Sequence, residues 1–335
     1  MKRILSALLL SMSFAAPATA ENIPIKFTLD WKIQGVHGWF YLAKEKGYFA
    51  EEGLDVTIDQ GEGSAATVSR IMSGAYDAGF GDMNAIIQNA SGASADAPVM
   101  VYQIYNQPPF AVLTKADGPV TSLKALEGLT VGAPPGSAST KLFPALAQAA
   151  GLDMSKIEML SVKSSLQEQL LIQGDVDASL VFNVTSYLNI LGQGLDPDVD
   201  FKWYPYGESG LDIYSNGVMV SRKLYDENPD AVKGLVSAIA KAMADVIADP
   251  QEAIDIIVAT EPLSNGELEL KRLEFAMQNL IYSDESKANG IGAVDPERLA
   301  RSIAVIAELY DLPDAPEPAD VFSDAFLPPM ELRMF

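Results

Sequence analysis

The amino-acid sequence predicts an α/β protein of two similar lobes that enclose a cleft. Segments with strand and helix character alternate from residue 25 to residue 191, the pattern typical of largely parallel sheets flanked by helices. Residues 71–80 and 171–180 both have the pattern of a helix end, a glycine and a strand that opens with Asp-Ala. This repeat indicates a duplicated unit, and two duplicated lobes can close on a ligand.

The elements of the first lobe follow from apolar periodicity and helix-boundary residues. Gly47 and Gly74 follow amphipathic segments and are expected to end helices, and Asp82 is placed to cap the start of another. The predicted strands cover 25–29, 54–58, 77–81 and 99–105, and the predicted helices cover 38–46, 64–73 and 82–92.

The second lobe is expected to lie between an extended crossing at 110–114 and a return crossing at 217–220. The Asp-, Pro- and Gly-rich residues 195–216 are predicted to be loops. Lobe 1 is therefore predicted to span 21–112 plus 218–335, and lobe 2 to span 113–217. The predicted strands of lobe 2 are 129–132, 157–160 and 177–181, and its helices are 137–150, 164–173 and 183–191.

The carboxyl-terminal part is predicted to pack on the first lobe as helices. Residues 228–248 place Ala, Val, Leu, Ile and Met at a spacing of three to four. Further helices are expected at 250–260, 265–282 and 295–310. The Pro- and Asp-rich residues 312–329 lack periodicity, so we expect either an ordered strap over the surface or a disordered tail.

Residues 1–20 have the composition of a secretory signal peptide. Lys2 and Arg3 precede an apolar run, and Ala18-Thr19-Ala20 supplies a small-residue cleavage site. The apolar run is too short to span a bilayer, and an uncleaved anchor is the alternative interpretation. The mature chain is expected to begin near Glu21 and to be periplasmic.

Composition disfavours several kinds of partner and site. Without Lys2 and Arg3 the chain has 21 basic and 45 acidic residues, a net charge of −24, which opposes binding to nucleic acid or anionic lipid. There is no cysteine and a single histidine, His37, so disulfides, thiol catalysis and Cys/His zinc clusters are not expected. We predict no cofactor and no metal, and a monomer, because the cleft must open and close.

Ligand-binding groups are expected in the loops that follow strands, where the amino ends of helices expose N–H groups. Trp31 follows a strand between polar neighbours, so a fully buried indole is not expected there. His37 is either a ligand contact or a polar helix-start residue, and each serine is either a ligand contact or an ordinary N-cap. These loops supply Trp31, His37, Gly38, Ser64, Asp82 and Asn84 in lobe 1, and Gly136, Ser137, Phe182 and Asn183 in lobe 2.

The repeat aligns residues 82–84 with residues 182–184, so the two loops are expected to face the cleft from opposite sides. The ring of Phe182 and the amides of Asn84 and Asn183 would suit a flat polar ligand, unless Phe182 belongs to the core. The loop before the return crossing is also predicted to line the cleft, through Tyr206, Tyr214 and Asn216.

The sequence contains no catalytic motif. It has no Gly-x-Ser-x-Gly elbow and no credible Ser/His/Asp spacing, and residues 61–64 (Gly-Glu-Gly-Ser) lack the third glycine and the lysine of a phosphate-binding loop. We therefore predict that the protein is not an enzyme.

Several motifs resemble those of a known family. Leu29-Asp30-Trp31, His37-Gly38, residues 41–49 (Tyr-Leu-Ala-Lys-Glu-Lys-Gly-Tyr-Phe) and 51–56 (Glu-Glu-Gly-Leu-Asp-Val) are similar to the N-terminal signature of solute-binding proteins of ABC importers. The branch is the one similar to thiamine-pyrimidine synthases (NMT1/THI5-like) and to nitrate, sulfonate and taurine binders. The resemblance runs over most of the mature chain, through residues 74–78 and the Gly136-Ser137 loop.

This resemblance implies a two-lobe, type II-like periplasmic binding protein fold and the substrate-binding role in an ABC uptake transporter, with an inner-membrane permease as partner. The Leu-Asp-Trp opening and the single histidine favour a thiamine-precursor pyrimidine or a related heterocycle as ligand. Lys32-Ile33 replace the Pro-Asn that usually follows the tryptophan, and Thr185 stands where many members carry an acid. The alternatives are a small sulfonate, nitrate or carboxylate as ligand and, as another function, an exported enzyme of the same fold. The cysteine-rich iron loop of the eukaryotic synthases is not present in this cysteine-free chain.

Overall fold

Two five-stranded sheets form the framework of the protein. The computed structural model describes residues 22–91 and 96–335, so the predicted signal peptide lies outside the described residues. The strands are β1 (Ile23–Thr28), β2 (Leu54–Asp59), β3 (Ala78–Asp82), β4 (Val99–Gln103), β5 (Phe110–Lys115), β6 (Thr130–Ala133), β7 (Glu158–Ser161), β8 (Ala178–Phe182), β9 (Phe201–Pro205) and β10 (Asn216–Val220).

The two sheets have the same topology. The first has the order β2-β1-β3-β10-β4 and the second the order β7-β6-β8-β5-β9. In each sheet four strands run in the same direction, and one strand (β10 or β5) runs antiparallel to both of its neighbours. The prediction of an α/β protein with two similar lobes is therefore confirmed, and the lobes are a duplicated sheet.

The repeated sequence has the same structure in both lobes. Gly74 and Gly174 follow helices and have φ angles of 74° and 80°, a left-handed conformation that favours glycine. Three residues later, the backbone N–H of Asp77 donates to Lys26 O, and its carboxylate accepts from Lys26 N at 2.9 Å. Asp177 makes the same two bonds with Thr130. The repeated aspartate thus joins the strand that follows it (β3 or β8) to the neighbouring parallel strand (β1 or β6).

Helices cover both faces of the two sheets. The first core includes the aromatic cluster of Phe27, Phe40 and Phe80 and the buried face of α9 (Pro229–Ala248), which packs on α1 (Gly38–Glu45). The helices are α1 (Gly38–Glu45), α2 (Tyr48–Glu51), α3 (Ser64–Met72), α4 (Met83–Ala90), α5 (Ala138–Ala149), α6 (Gln167–Gln173), α7 (Asn183–Gly192), α8 (Arg222–Glu227), α9 (Pro229–Ala248), α10 (Pro250–Thr260), α11 (Gly266–Ala276), α12 (Asp284–Asn289), α13 (Pro296–Leu309) and α14 (Pro318–Val321).

The chain passes between the sheets twice, at 104–109 and at 206–215. Strand β5 belongs to the second sheet and β10 to the first, so each predicted crossing is instead a strand next to the crossing. The predicted lobe boundaries at 112 and 217 fall within these strands, and as domain limits they remain a proposal. A second core joins α3, α4 and α13 to apolar residues of the second lobe and of the crossing at 206–215. The side of the molecule that contains the crossings, which we call the hinge, is therefore packed.

Three local predictions need correction. Residues 201–205 form the edge strand β9 inside a region predicted to be loops, because Phe201 and Trp203 pack on the second sheet. Helix α8 was not predicted, and the helix expected over 265–282 changes at Met277 to a π-helical turn, Met277–Ile281.

The carboxyl-terminal segment is the ordered strap, since Ser323 N donates to Met100 O at the edge of the first sheet. Within the described ranges, no helix combines the length and apolar character needed to cross a membrane.

Candidate ligand-binding site

A cavity between the lobes, which we name the inner chamber, is lined by the loops that follow the parallel strands. It measures about 500 Å³, counting its mouth. The first lobe lines it with Asp30, Trp31, Gln34, Val36, His37, Gly63 and Ser64, the crossing with Tyr105, and the second lobe with Pro134, Ser137, Ser164, Gln167, Phe182, Val184 and Thr185.

Asp30 is the one carboxylate of this lining and is held from two sides. His37 Nε2 lies 2.8 Å from Asp30 Oδ1, and Asn216 Nδ2 donates to Asp30 Oδ2 at 2.8 Å. His37 Nδ1 accepts from the backbone N–H of Gln34 at 3.1 Å, so the ring proton is on Nε2 and points at the aspartate. Both ring nitrogens are used in this way, and His37 orients Asp30 while its ring lines the wall.

Two buried donors of the chamber have no hydrogen-bond partner within the described chain. They are the indole Nε1 of Trp31 and the hydroxyl of Ser64. A buried polar group without a partner costs about 1–3 kcal/mol, so this pair points to a ligand with acceptor atoms. No lysine or arginine is found among the described residues that line the chamber. Its polarity therefore suits an uncharged or cationic ligand.

Aromatic groups form part of the wall. Phe182 is half-buried at the end of β8 and its ring is 5.3 Å from the ring of Phe110. Tyr105 is buried, and burial together with the nearby Asp30 carboxylate raises the pKa of its hydroxyl well above the usual 10. Tyr105 is therefore protonated and neutral at physiological pH.

The two lobes touch on one side of the chamber through their glycine loops. Gly63 has a φ angle of 143°, and a Cβ atom on it would lie 2.0 Å from the carbonyl oxygen of Gly136. Only glycine allows this approach. This contact between the loops places Ser137 in the lining, and the Ser137 hydroxyl lies 2.7 Å from the hydroxyl of Ser139.

On the other side, Arg272 of α11 joins the lobes. Its guanidinium donates to the carbonyls of Val184 and Thr185, at 2.9 and 2.8 Å, in the first turn of α7. Glu269 pairs with Arg272 and accepts from the backbone N–H of Gly35 at 2.6 Å, next to His37. A weaker bond at 3.3 Å joins Thr185 Oγ1 to Gln34 Oε1. The first and second lobes are thus closed over the chamber.

Five of the predicted site residues are brought together in the inner chamber: Trp31, His37, Ser64, Ser137 and Phe182. Two more act next to it, since Gly136 makes the contact between the lobes and Asn216 holds Asp30. Gly38 lies away from the chamber, where it lets α1 approach Ala253 of α10.

The other predicted residues face the hinge or the core. Asp82 caps α4 through Ala85 N, and Asn84 donates to Tyr214 O, so this loop backs the crossing instead of the cleft. Asn183 lies in the first turn of α7 but outside the lining, its side chain accepting from Val184 N at 2.6 Å. Tyr206 and Tyr214 are buried, with hydroxyls that donate to Ser139 O and Glu285 Oε1.

Asp82 has a strongly altered acidity. Burial raises the pKa of its carboxyl to about 7, although hydrogen bonds from Asn84, Ala85 and Ser215 act in the opposite direction. The desolvated carboxylate has no cation among these partners, which explains why burial dominates.

Among the residues of the site that sequence reasoning missed are four with polar or charged side chains: Asp30, Gln34, Gln167 and Arg272. Asp30 precedes the predicted Trp31, and its position directly after a strand is itself an indication of a ligand-binding residue. The others bind across the lobes or lie on a helix face, and no local pattern distinguishes them. Within the described ranges, no group of three or more His, Cys, Asp or Glu side chains is arranged to hold a metal ion.

Comparison with known proteins identifies the same family that the sequence motifs resemble. A family model described as NMT1/THI5 like matches residues 34–253, more than half of the chain. The formylaminopyrimidine-binding protein of Halalkalibacterium halodurans is 26% identical over 305 residues, which cover 90% of this chain and 89% of the relative. The riboflavin-binding protein RibY of Chloroflexus aurantiacus is 24% identical over 301 residues, covering 86% and 82%.

A solved structure shows the fold. The periplasmic aliphatic sulphonate binding protein SsuA from Escherichia coli superposes with a TM-score of 0.66 at 18% identity, covering 89% of this chain and 96% of that one. The fold is that of the periplasmic binding proteins, as predicted.

Proposed function

The chain belongs to the NMT1/THI5-like family, and we propose on this basis that it is a solute-binding protein that captures a small flat heterocycle between its lobes. The preferred ligand is an aminopyrimidine of the thiamine-precursor type or a related ring. The two relatives named for formylaminopyrimidine and riboflavin binding support this class of ligand. In the proposal, the protein is exported and presents its ligand to an ABC permease.

The observation that carries the proposal is the set of polar groups in the inner chamber. Trp31 Nε1 and the Ser64 hydroxyl offer two donors, and Asp30 offers a fixed acceptor. An aminopyrimidine has ring nitrogens that accept and an exocyclic amine that donates, so it matches both kinds of group. The aromatic ring of Phe182 supplies a flat apolar wall.

The same chamber disfavours the alternative of a small anion. Asp30 would repel a sulfonate or carboxylate, and no described lining residue offers a positive charge to offset it. The amino ends of α3 and α5 remain the groups that an anion would use, next to Ser64 and Ser137. This alternative therefore depends on helix N–H groups alone.

A binding role without catalysis is also part of the proposal. The hydroxyl of Ser64 has no partner among the described residues, and that of Ser137 is near another serine, so neither is activated by a base. Both nitrogens of His37 are already engaged. The chamber thus has no activated nucleophile of the kinds that serine and histidine supply.

Calorimetric titration of the mature protein tests the proposal. The probes are 4-amino-5-hydroxymethyl-2-methylpyrimidine, riboflavin, nitrate and an alkanesulfonate. We expect binding of a heterocycle that is lost in Trp31→Ala and retained in a control, Trp203→Phe, which changes an indole outside the lining of the chamber. Binding of the anions alone, lost in Ser137→Ala, would replace the proposal with the anion alternative. Turnover of a bound heterocycle into a product would refute the non-enzymatic part.

A further inference from the structure

A second cavity shares the lining residue Gln34 with the inner chamber, and we name it the outer chamber. It lies between the same lobes, bounded by α6 and α7 on one side and by α11 and the loop after β1 on the other. Its volume is about 1,280 Å³ including the open mouth. Gln34 belongs to the lining of both chambers, and its 3.3 Å bond to Thr185 joins the lobes there, so a ligand seated on Trp31 would reach the outer chamber by replacing that bond.

Side-chain amides make up a third of the lining of the outer chamber. Side-chain amides line it from both lobes, on Gln34, Gln60, Gln169, Asn189, Gln193 and Asn265. Each amide has both a donor and an acceptor. A hydroxyl group also donates and accepts, so a chain of hydroxyls can pair with the amide atoms of this lining that have no partner among the described residues, such as those of Gln169. An apolar chain would leave these groups unpaired.

Glu168 gives the chamber a fixed acceptor. Its side chain lines the outer chamber although the residue is only 4% exposed. Its Oε1 accepts from the Ser186 hydroxyl at 2.6 Å and from the amides of Gln167 and Asn189 at 3.3 Å. Its Oε2 accepts from no group within the part of the chain that the structure describes. A nearly buried carboxylate with one oxygen held and the other free is preorganised to accept a hydrogen bond from a ligand.

We propose that the outer chamber is a subsite for a hydroxylated substituent of the ligand, with Glu168 Oε2 accepting from one of its hydroxyls. The inference rests on the proposed function, because the ring must occupy the inner chamber for the substituent to reach Glu168. The ligand would then be a heterocycle with a polyhydroxyl chain and not a bare ring. The lining carries three carboxylates (Glu168, Glu261 and Glu269) and two cations (Lys32 and Arg272). A phosphorylated substituent is disfavoured, because Arg272 is already bonded to Glu269 and to two carbonyls of α7, and Lys32 alone does not offset the carboxylates.

A pair of flavin probes tests the subsite, because riboflavin and lumiflavin share a ring system and differ in the hydroxylated chain. We expect the wild-type protein to bind riboflavin at least tenfold more tightly than lumiflavin, about the value of one hydrogen bond to a charged group. In Glu168→Gln this preference should fall to about threefold or less, with lumiflavin affinity unchanged. Gln169→Ala, an exposed lining residue, serves as a second variant in case Glu168→Gln destabilises the fold. Glu274→Gln on the exposed face of α11 is the matched control and should keep the preference.

Two results would overturn the inference. One is equal affinity of the wild-type protein for both flavins, which would mean that the hydroxyls gain nothing in the outer chamber. The other is binding of 4-amino-5-hydroxymethyl-2-methylpyrimidine with no binding of either flavin, since the outer chamber would then hold no part of the ligand. In both cases the proposed function stands. Failure of all three heterocycles to bind would instead contradict the proposed function.

Discussion

Asp30 sets the polarity of the inner chamber through partners that sequence position does not reveal. His37 Nε2–H and the amide of Asn216 each occupy one of its oxygens, at 2.8 Å, and the backbone of Gln34 fixes the histidine tautomer. Each oxygen keeps a second lone pair for a ligand. His37 and Asn216, both predicted as contacts, act here as positioning residues for a neighbour that was not predicted.

Substitution Asp30→Asn tests this arrangement. The amide keeps the size of the carboxylate but turns an NH2 group toward either His37 Nε2–H or the Asn216 amide, and the negative charge is lost. We expect the affinity for the bound heterocycle to fall at least tenfold, by calorimetric titration, and the free energy of unfolding to fall by about 1–3 kcal/mol. Asp59→Asn at the exposed end of β2 is the control and should change neither value appreciably. An unchanged affinity in Asp30→Asn would remove Asp30 from the site.

Asp82 gives a prediction about pH. Its pKa is about 7 in the folded protein and about 3.8 in a free side chain, so the folded state binds the proton more tightly than the unfolded state. The stabilising effect of this proton is complete below about pH 4 and is lost as pH rises toward 7. Denaturant unfolding should therefore show a loss of stability of up to about 4 kcal/mol from this group between pH 4 and pH 8.

The variant Asp82→Asn separates this group from the general effect of the acidic surface. Asparagine is also a good N-cap for α4 and has no charge to desolvate. The wild-type protein should lose more stability over this pH range than Asp82→Asn does. Asp226→Asn, on an exposed position of α8, should keep the wild-type slope. Equal slopes in wild type and Asp82→Asn would show that Asp82 does not titrate in this range.

At the scale of single elements, the duplicated unit explains why so much of the fold was predictable. Helix ends such as Gly74 and Gly174 need a left-handed φ angle, and this requirement is written in the local sequence. The repeated Asp-Ala that follows marks the start of a central strand in each lobe. Most predicted strands and helices accordingly end within a few residues of the observed bounds.

The repeat also offers a matched pair of mutations. Asp77→Ala and Asp177→Ala each remove a carboxylate that accepts from a backbone N–H of the neighbouring strand, at 2.9 and 3.0 Å. We expect each change to lower the free energy of unfolding by about 1 kcal/mol, since one charge-assisted hydrogen bond is lost at a half-buried position. Urea unfolding measures both values, with Asp117→Ala in an exposed turn as control. A cost in one lobe only would contradict the equivalence of the two units.

What could not be predicted depends on contacts between distant elements. Strand β9 lies among Asp, Pro and Gly residues that indicate loops, and it exists because it adds to the edge of β5. The loop of Asp82 and Asn84 has the same position in the repeat as the loop of Phe182, yet it faces the hinge, where Asn84 donates to Tyr214 O. Local pattern gives the end of a strand but not the direction in which the following loop faces.

At the scale of the whole molecule, closure depends on few direct bonds between the lobes around the inner chamber. Arg272 makes two short bonds to carbonyls of α7 and a third, at 3.1 Å, to the side chain of Asn189. Glu269 connects this arginine to the turn that carries His37. The element that closes the cleft is thus joined to the loop that shapes the binding chamber, so closure and ligand positioning are expected to be coupled.

The double variant Glu269→Gln with Arg272→Met tests this coupling without leaving a buried charge unpaired. Glutamine still accepts from Gly35 N–H, and methionine keeps the apolar packing of the arginine stem, so the loss is confined to the bonds across the cleft. We expect the closed state to lose about 1.4 kcal/mol or more relative to the open state. Ligand affinity should then fall at least tenfold, mainly through faster dissociation. Small-angle scattering without added ligand should show a larger radius of gyration. Lys271→Met on the same helix loses only a solvent-exposed pair with Glu267, so it should leave affinity and radius unchanged. Wild-type values in the double variant would mean that the ligand, and not Arg272, supplies the free energy of closure.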